Sequence, residues 1–299
     1  MPIRTYLTGA FCIAMASVCF SLQPIFARGI YDDGANSLGL VLLRYAIPSV
    51  FLLVLMPGNT RKLRLRSGGL GLLNGLALLC YFLAIQQSSV SQTVMIISTF
   101  PLLVFIQAWV RREEQLNFLR LIALAGALLG VYLTLDGDFS GGLSGILFAL
   151  GAAIFYASFI IGTSRWVPPG DTLGSSAWTL FGGVALFSVP ALLGLAEFPA
   201  STYGWGMALA LGIIGTLVPF LLLLKGIAIL KRQFDAAMFS SVEPISATFF
   251  AAVLLQEAIN LNGIFGGFIV IGSVLLMVWS RARQEENSDS PAEAKLGSL

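Results

Sequence analysis

The chain has 299 residues, of which 57% are hydrophobic and 11% charged, with a net charge of +2. Soluble proteins are about a quarter charged, so a mean hydropathy of +0.88 makes lipid the expected solvent. Histidine is absent, which excludes His-based zinc sites, Ser-His and Cys-His nucleophile pairs and imidazole proton relays.

Apolar windows close to the ~20 residues that cross a bilayer fall at 6–27, 37–56, 68–86, 92–110, 118–135, 143–163, 174–194, 203–224, 236–255 and 262–280. Their length, internal glycines and lack of period-two alternation predict ten helices and no barrel. The first run follows Arg4 as a signal peptide would, but it has no persuasive small-residue cleavage site and is read as a retained span. Cys12, Cys19 and Cys80 lie inside apolar runs without metal-site spacing and are expected to pack there. No metal site, cofactor motif or phosphate-cradling glycine loop is found, so ATP-driven transport by this chain alone is not expected. Nothing in the charge pattern calls for nucleic acid.

Lys and Arg segregate between alternate connections. Those after odd-numbered spans hold Arg28 alone, while the others hold Arg4, Arg61, Lys62, Arg64, Arg66, Arg111, Arg112, Arg120, Arg165, Lys231, Arg232, Arg281, Arg283 and Lys295. Positive charge stays inside, which predicts a multi-pass cell (inner) membrane protein with both termini cytoplasmic. The tail over 284–299 is polar and acidic and predicts disorder.

Within the spans, one plan occurs twice. Pro101 stands thirteen residues before Glu114, and Pro244 thirteen before Glu257. Each copy is followed by a Gly-bearing run, with Gly126 and Gly130 in the first and Gly266, Gly267 and Gly272 in the second. This predicts an all-α membrane protein built from two copies of one unit, over 1–138 and 139–283. Five spans per unit is odd, so the second copy enters the membrane inverted, which is a recurring plan of secondary transporters with a midplane site.

These residues resemble the EamA family of the drug/metabolite transporter superfamily. Val242–Leu276, VEPISATFFAAVLLQEAINLNGIFGGFIVIGSVLL, is similar to its second repeat, and Arg44 in the second span also fits. The resemblance implies ten helices, cytoplasmic termini and a central cavity lined by the first four helices of each half. It implies transport of amino acids, other metabolites or drugs, often outward. In the first copy Phe100 precedes Pro101 where Glu243 precedes Pro244, so the halves are chemically unequal.

Glu243 lies about 12 Å into a ~30 Å core at ~1.5 Å per residue. A carboxylate there is either a cation or proton site beside a cavity, or a structural, packed acid. Arg44 is its counterpart in the second span, as an anchor for a substrate carboxylate, a partner of Glu243 or a structural residue. Gln23, Tyr81, Gln92, Ser98, Tyr156, Trp178, Phe239 and Ser240 are the other candidates for the cavity. Their convergence would suit an amphipathic or aromatic solute better than a sugar or a bare ion; amino acid-like solutes are what the resemblance adds. Pro101, Glu114, Pro244 and Glu257 are read as structural motif residues.

Asp32 and Asp136 resemble members of an intramembrane aspartyl pair but fall in connections, so no enzyme is expected. The expected function is secondary transport that exports small metabolites by alternating access around a midplane cavity; the rival reading is an uncoupled facilitator or channel with the same helices and no coupled ion. A proton is the candidate coupling ion, since a buried carboxylate can load and release one without histidine. With Cys12, Cys19 and Cys80 replaced, a single cysteine at position 64 should resist a membrane-impermeant thiol reagent in intact cells. One at position 197 should react, and the opposite pattern would overturn the layout.

Overall fold

The computed structural model describes residues 3–54, 61–87, 93, 96–112, 118–134, 142–168, 170–255 and 261–296, and among them no strand occurs. The chain is all-helical and crosses the membrane several times. Five stretches are long and apolar enough to span by themselves: Arg4–Asp32, Lys62–Ala84, Leu143–Trp166, Thr172–Leu192 and Thr202–Leu230. Shorter apolar helices cover Ser37–Leu53, Phe100–Val110, Phe118–Leu133 and Ile264–Ser280.

In chain order the helices are α1 (Ile3–Phe20), α2 (Gln23–Asp32), α3 (Ser37–Val54), α4 (Arg61–Gln87), α5 (Phe100–Val110), α6 (Phe118–Thr134) and α7 (Leu143–Trp166). They continue with α8 (Thr172–Leu192), α9 (Thr202–Gly212), a π-turn (Ile213–Leu217), α10 (Val218–Leu230), α11 (Gln233–Ser240), α12 (Val242–Leu255) and α13 (Leu261–Leu296).

Four runs expected as single helices are broken. The first stops at Phe20 and restarts at Gln23, with Pro24 in the new first turn, where its missing N–H costs nothing. The stretch 202–230 passes through the π-turn because Pro219 cannot donate to the Gly215 carbonyl four residues back. There the Thr216 hydroxyl instead reaches the Leu211 carbonyl at 2.9 Å. The third break is at Ser98–Thr99, just before α5, and the fourth at Ser241, between α11 and α12.

Helix boundaries also differ from the sequence reading at charged residues. Arg61–Arg66 open α4 instead of forming a loop, and Tyr31 and Asp32 close α2. Charged side chains at a helix end can reach water while the backbone stays helical, so hydropathy alone places such ends too early. Backbone helix also continues past Ser280 to Leu296, over a tail that composition marked as disordered. Its Ala, Glu, Gln, Lys and Arg residues are strong helix formers.

Packing interleaves the two parts of the sequence. Helix α4 lies on α7 and α8, α1 on α10, α3 on α8, and α6 on α13. At the α2–α3 turn, the Ser201 amide donates to Asp33 Oδ2 at 2.7 Å, and the Asn36 amide group donates to the Leu195 carbonyl at 2.8 Å. The Ser201 N–H, and after it the Ser201 hydroxyl, hold the Asp33 carboxyl below its usual range. This contact therefore persists at neutral pH and is lost only as pH falls through that lowered value.

Close helix approach depends on glycine at Gly71, where a Cβ would overlap the Thr179 carbonyl oxygen, whereas a Cβ at Gly69 would meet nothing within 4 Å. Gly71→Ala should lower stability by about 1–3 kcal/mol through overpacking, and Gly69→Ala should not. Thermal unfolding in detergent checks the pair; equal melting temperatures would refute the packing assignment.

Candidate functional site

A cavity of about 690 Å³ opens among the helices, a size suited to a small organic solute. Its lining extends from Arg28, Tyr31, Asp32 and Ser37 at the α2–α3 end to Arg44, Tyr156 and Glu243 in the interior. All four helix breaks reach it, through Ser21, Gln23 and Pro24, through Ser98 and Phe100, through Leu211 and Phe220, and through Ser240 and Ser241.

Of the residues singled out in the sequence, Gln23, Arg44, Tyr81, Ser98, Tyr156, Ser240 and Glu243 share this cavity. Trp178 and Phe239 do not line it. The Trp178 ring lies 5.6 Å from the Arg64 guanidinium carbon and packs on Phe181. Phe239 is buried against Tyr6, with ring centroids 6.0 Å apart. An aromatic residue in an apolar helix gives no sign of the face it occupies, and these two face neighbouring helices. Pro101 is buried in the first turn of α5, and Pro244 stands in the first turn of α12. Gln92, Glu114 and Glu257 lie outside the described residues.

Arg44 is 9% exposed, and its Nε has no hydrogen-bond partner. Glu243 lines the same cavity. Among the described residues no ion pair joins them. A buried guanidinium and a buried carboxylate thus share a low-dielectric cavity with binding capacity left over.

The walls are aromatic. Phe100 meets Tyr156 edge to face at 4.8 Å, Tyr156 stacks on Phe159 at 6.0 Å, and Tyr81 meets Phe82 at 5.4 Å. Behind Arg44, Tyr45 stacks on Phe187, and the Asn74 amide donates to the Tyr45 hydroxyl at 2.8 Å. Asn74 also lines the cavity and was missed in the sequence, where its signal was a lone amide within an apolar span. Ser21 and Ser241 were missed as well, because a serine in an apolar run does not announce a helix break.

Gln23 has a defined partner. Its side-chain amide donates to the Gly215 carbonyl at 2.5 Å, supplying the donor that Pro219 withholds. One broken span thereby completes the hydrogen bonding of another.

The EamA-like transporter family matches residues 7–136 and 143–279. The chain belongs to this family. Among relatives of this EamA-like chain, the uncharacterized transporter YcbK of Bacillus subtilis (strain 168) is 28% identical over 294 residues, covering 88% of this chain and 90% of YcbK. An uncharacterized transporter of Archaeoglobus fulgidus is 25% identical over 269 residues, covering 90% of this chain and 95% of its own. A crystal structure with 18% identity superposes with a TM-score of 0.76, over 93% of this chain and 98% of that one, which shows a shared fold.

Gln23→Leu removes the donor while keeping bulk, leaving a buried carbonyl unmet at a cost of about 1–3 kcal/mol. The variant should melt lower in detergent than Gln23→Glu, whose protonated form can still donate. No loss of stability in Gln23→Leu would show that the bridge is dispensable.

Proposed function

We propose that this EamA-like membrane transporter moves small zwitterionic, amphipathic solutes of amino acid type outward, by alternating access around the cavity. The observation that carries the reading is the pair of Arg44 and Glu243, both facing one aromatic cavity and not neutralising each other in an ion pair. A solute bearing a carboxylate and an ammonium matches both charges, and an apolar body matches the walls.

Two inverted five-span repeats fit the packing. Exchanging the first-half spans for their second-half counterparts converts the contact of α4 with α7 into that of α10 with α1, and α5 with α7 into α11 with α1; all four contacts occur. The exchange maps α3–α8 and α6–α13 onto themselves. Phe100 and Glu243, the residues before the repeated prolines, both line the cavity. With cytoplasmic termini, the α2–α3 end faces outward, so the cavity of this form is open to the outside.

The helices that would rock are bundles drawn from both repeats. One contains α1 with α10, α11 and α12; the other contains α4 with α5 and α7. Glu243 belongs to the first bundle, and Tyr81, Phe100 and Tyr156 to the second, so relative motion reshapes the cavity. A proton on Glu243 is the proposed coupling ion.

Glu243→Gln keeps the shape and removes the charge. In proteoliposomes it should abolish or uncouple transport of an aromatic amino acid while the protein remains folded and inserted. Normal, gradient-driven transport by this variant across about pH 5.5–8 would make the carboxylate a packing group. Transport by the wild type that ignores a pH gradient would favour an uncoupled facilitator.

A further inference from the structure

We propose that the side-chain pairs Phe159–Phe220, Phe105–Phe234 and Ser164–Gln233 form a plug that closes the cavity at the end away from the α2–α3 mouth and parts to pass the solute. The plug rests on the alternating access proposed above and gives its closed gate to particular contacts.

Each pair joins one helix bundle to the other. The bundles meet at α7–α10, α5–α11 and α7–α11, and every one of these helix pairs supplies one contact. Phe159 of α7 stacks on Phe220 of α10 with ring centroids 5.8 Å apart, and Phe105 of α5 meets Phe234 of α11 at 4.9 Å. The Ser164 hydroxyl of α7 lies 3.4 Å from Gln233 Oε1 of α11. All four rings are buried.

Phe159 and Phe220 line the cavity, and the other two pairs continue beyond it. Ser164 follows Phe159 by five residues, about 7 Å along α7 at ~1.5 Å per residue. Gln233 and Phe234 open α11, whose other end brings Ser240 to the lining. Phe105 follows Phe100, which lines the cavity from the first turn of α5. Packing on α4 gives the direction. Gly162 abuts Leu70, on the turn of α4 before the lining residue Asn74. Helix α3 starts at the mouth, so α4 begins on the far side, after α3 has crossed. At the mouth itself the lining residues Arg28, Tyr31 and Asp32 are exposed. This form is therefore open at the mouth and closed at the plug.

The chemistry of the pairs suits a seal that has to part. Phenylalanine rings offer water and ions no hydrogen-bonding group, and ring contacts contain no hydrogen bond that must break. The Ser164 hydroxyl also donates to the Ile161 carbonyl at 2.8 Å, which leaves its longer link to Gln233 weak. Such contacts separate at less cost than a buried ion pair, whose rupture strands two charges.

The test uses the full-length protein in proteoliposomes, with Cys12, Cys19 and Cys80 replaced and radiolabelled phenylalanine as the probe. Ser164→Cys/Gln233→Cys, joined by a short bis-methanethiosulfonate, should transport at least about tenfold more slowly than its own reduced form, and reductant should restore the rate. Phenylalanine binding to the linked protein in detergent should persist, because the mouth stays open. A monofunctional methanethiosulfonate, which modifies the same cysteines without joining them, should cost much less. Should the reduced variant fail to transport, Phe105→Cys/Phe234→Cys carries the same test at a second contact of the plug. Undiminished transport by the linked protein, an equal loss with the monofunctional reagent, or loss of binding together with transport would overturn the plug and leave the transport reading standing. A wild-type protein that carries neither phenylalanine nor any other aromatic zwitterion would overturn the transport reading, and the plug with it.

Discussion

In lipid a helix has to satisfy its own backbone, because no water is present to do so. Wherever the described part of this chain interrupts a long helix, the interruption reaches one cavity. The breaks at Ser21–Leu22, at Ser98–Thr99, at the π-turn Ile213–Leu217 and at Ser241 all have neighbouring residues in its lining. Each freed backbone group needs a substitute partner, and the structure shows two of them. Gln23 serves the Gly215 carbonyl, and Thr216 serves the Leu211 carbonyl. Breaks are tolerated where polar side chains and a cavity can complete them, and the same departures supply polar groups to that cavity.

Charge follows the same constraint. An isolated charge inside a membrane costs a few kcal/mol or more, so its location is informative. Arg44 and Glu243 share a cavity large enough for solute or water, and they are held on different elements, α3 and α12. Aromatic contacts among Phe100, Tyr156 and Phe159 keep the surrounding wall apolar and well packed. Two opposite charges held on different helices thus line one cavity whose walls are largely aromatic.

Much of this was legible in the sequence because bilayer thickness sets span length and because charge is rare. Windows of apolar residues located the helices, and the lone charges at Arg44 and Glu243 stood out within them. What escaped were features that depend on which way a side chain faces. Trp178 and Tyr156 are both aromatic residues in apolar helices, yet one stacks with Arg64 and the other lines the cavity. Asp32 and Tyr31 were assigned to a connection, although α2 carries them to the cavity mouth. The π-turn had a signal in Pro219 within an apolar run, but its partner Gln23 lies far away in sequence and is identified only by the fold.

The central claim is that the cavity containing Arg44 and Glu243 is the transport path. Protection of a cavity cysteine by solute tests it most directly. Ser98 lines the cavity and is half-buried, so a single cysteine there, in a background lacking Cys12, Cys19 and Cys80, reports on occupancy. The account predicts that a hydrophilic thiol reagent labels this cysteine and that a transported solute slows the labelling in proportion to its occupancy. Labelling at an unchanged rate under a saturating, transported solute would place the path elsewhere and contradict the account.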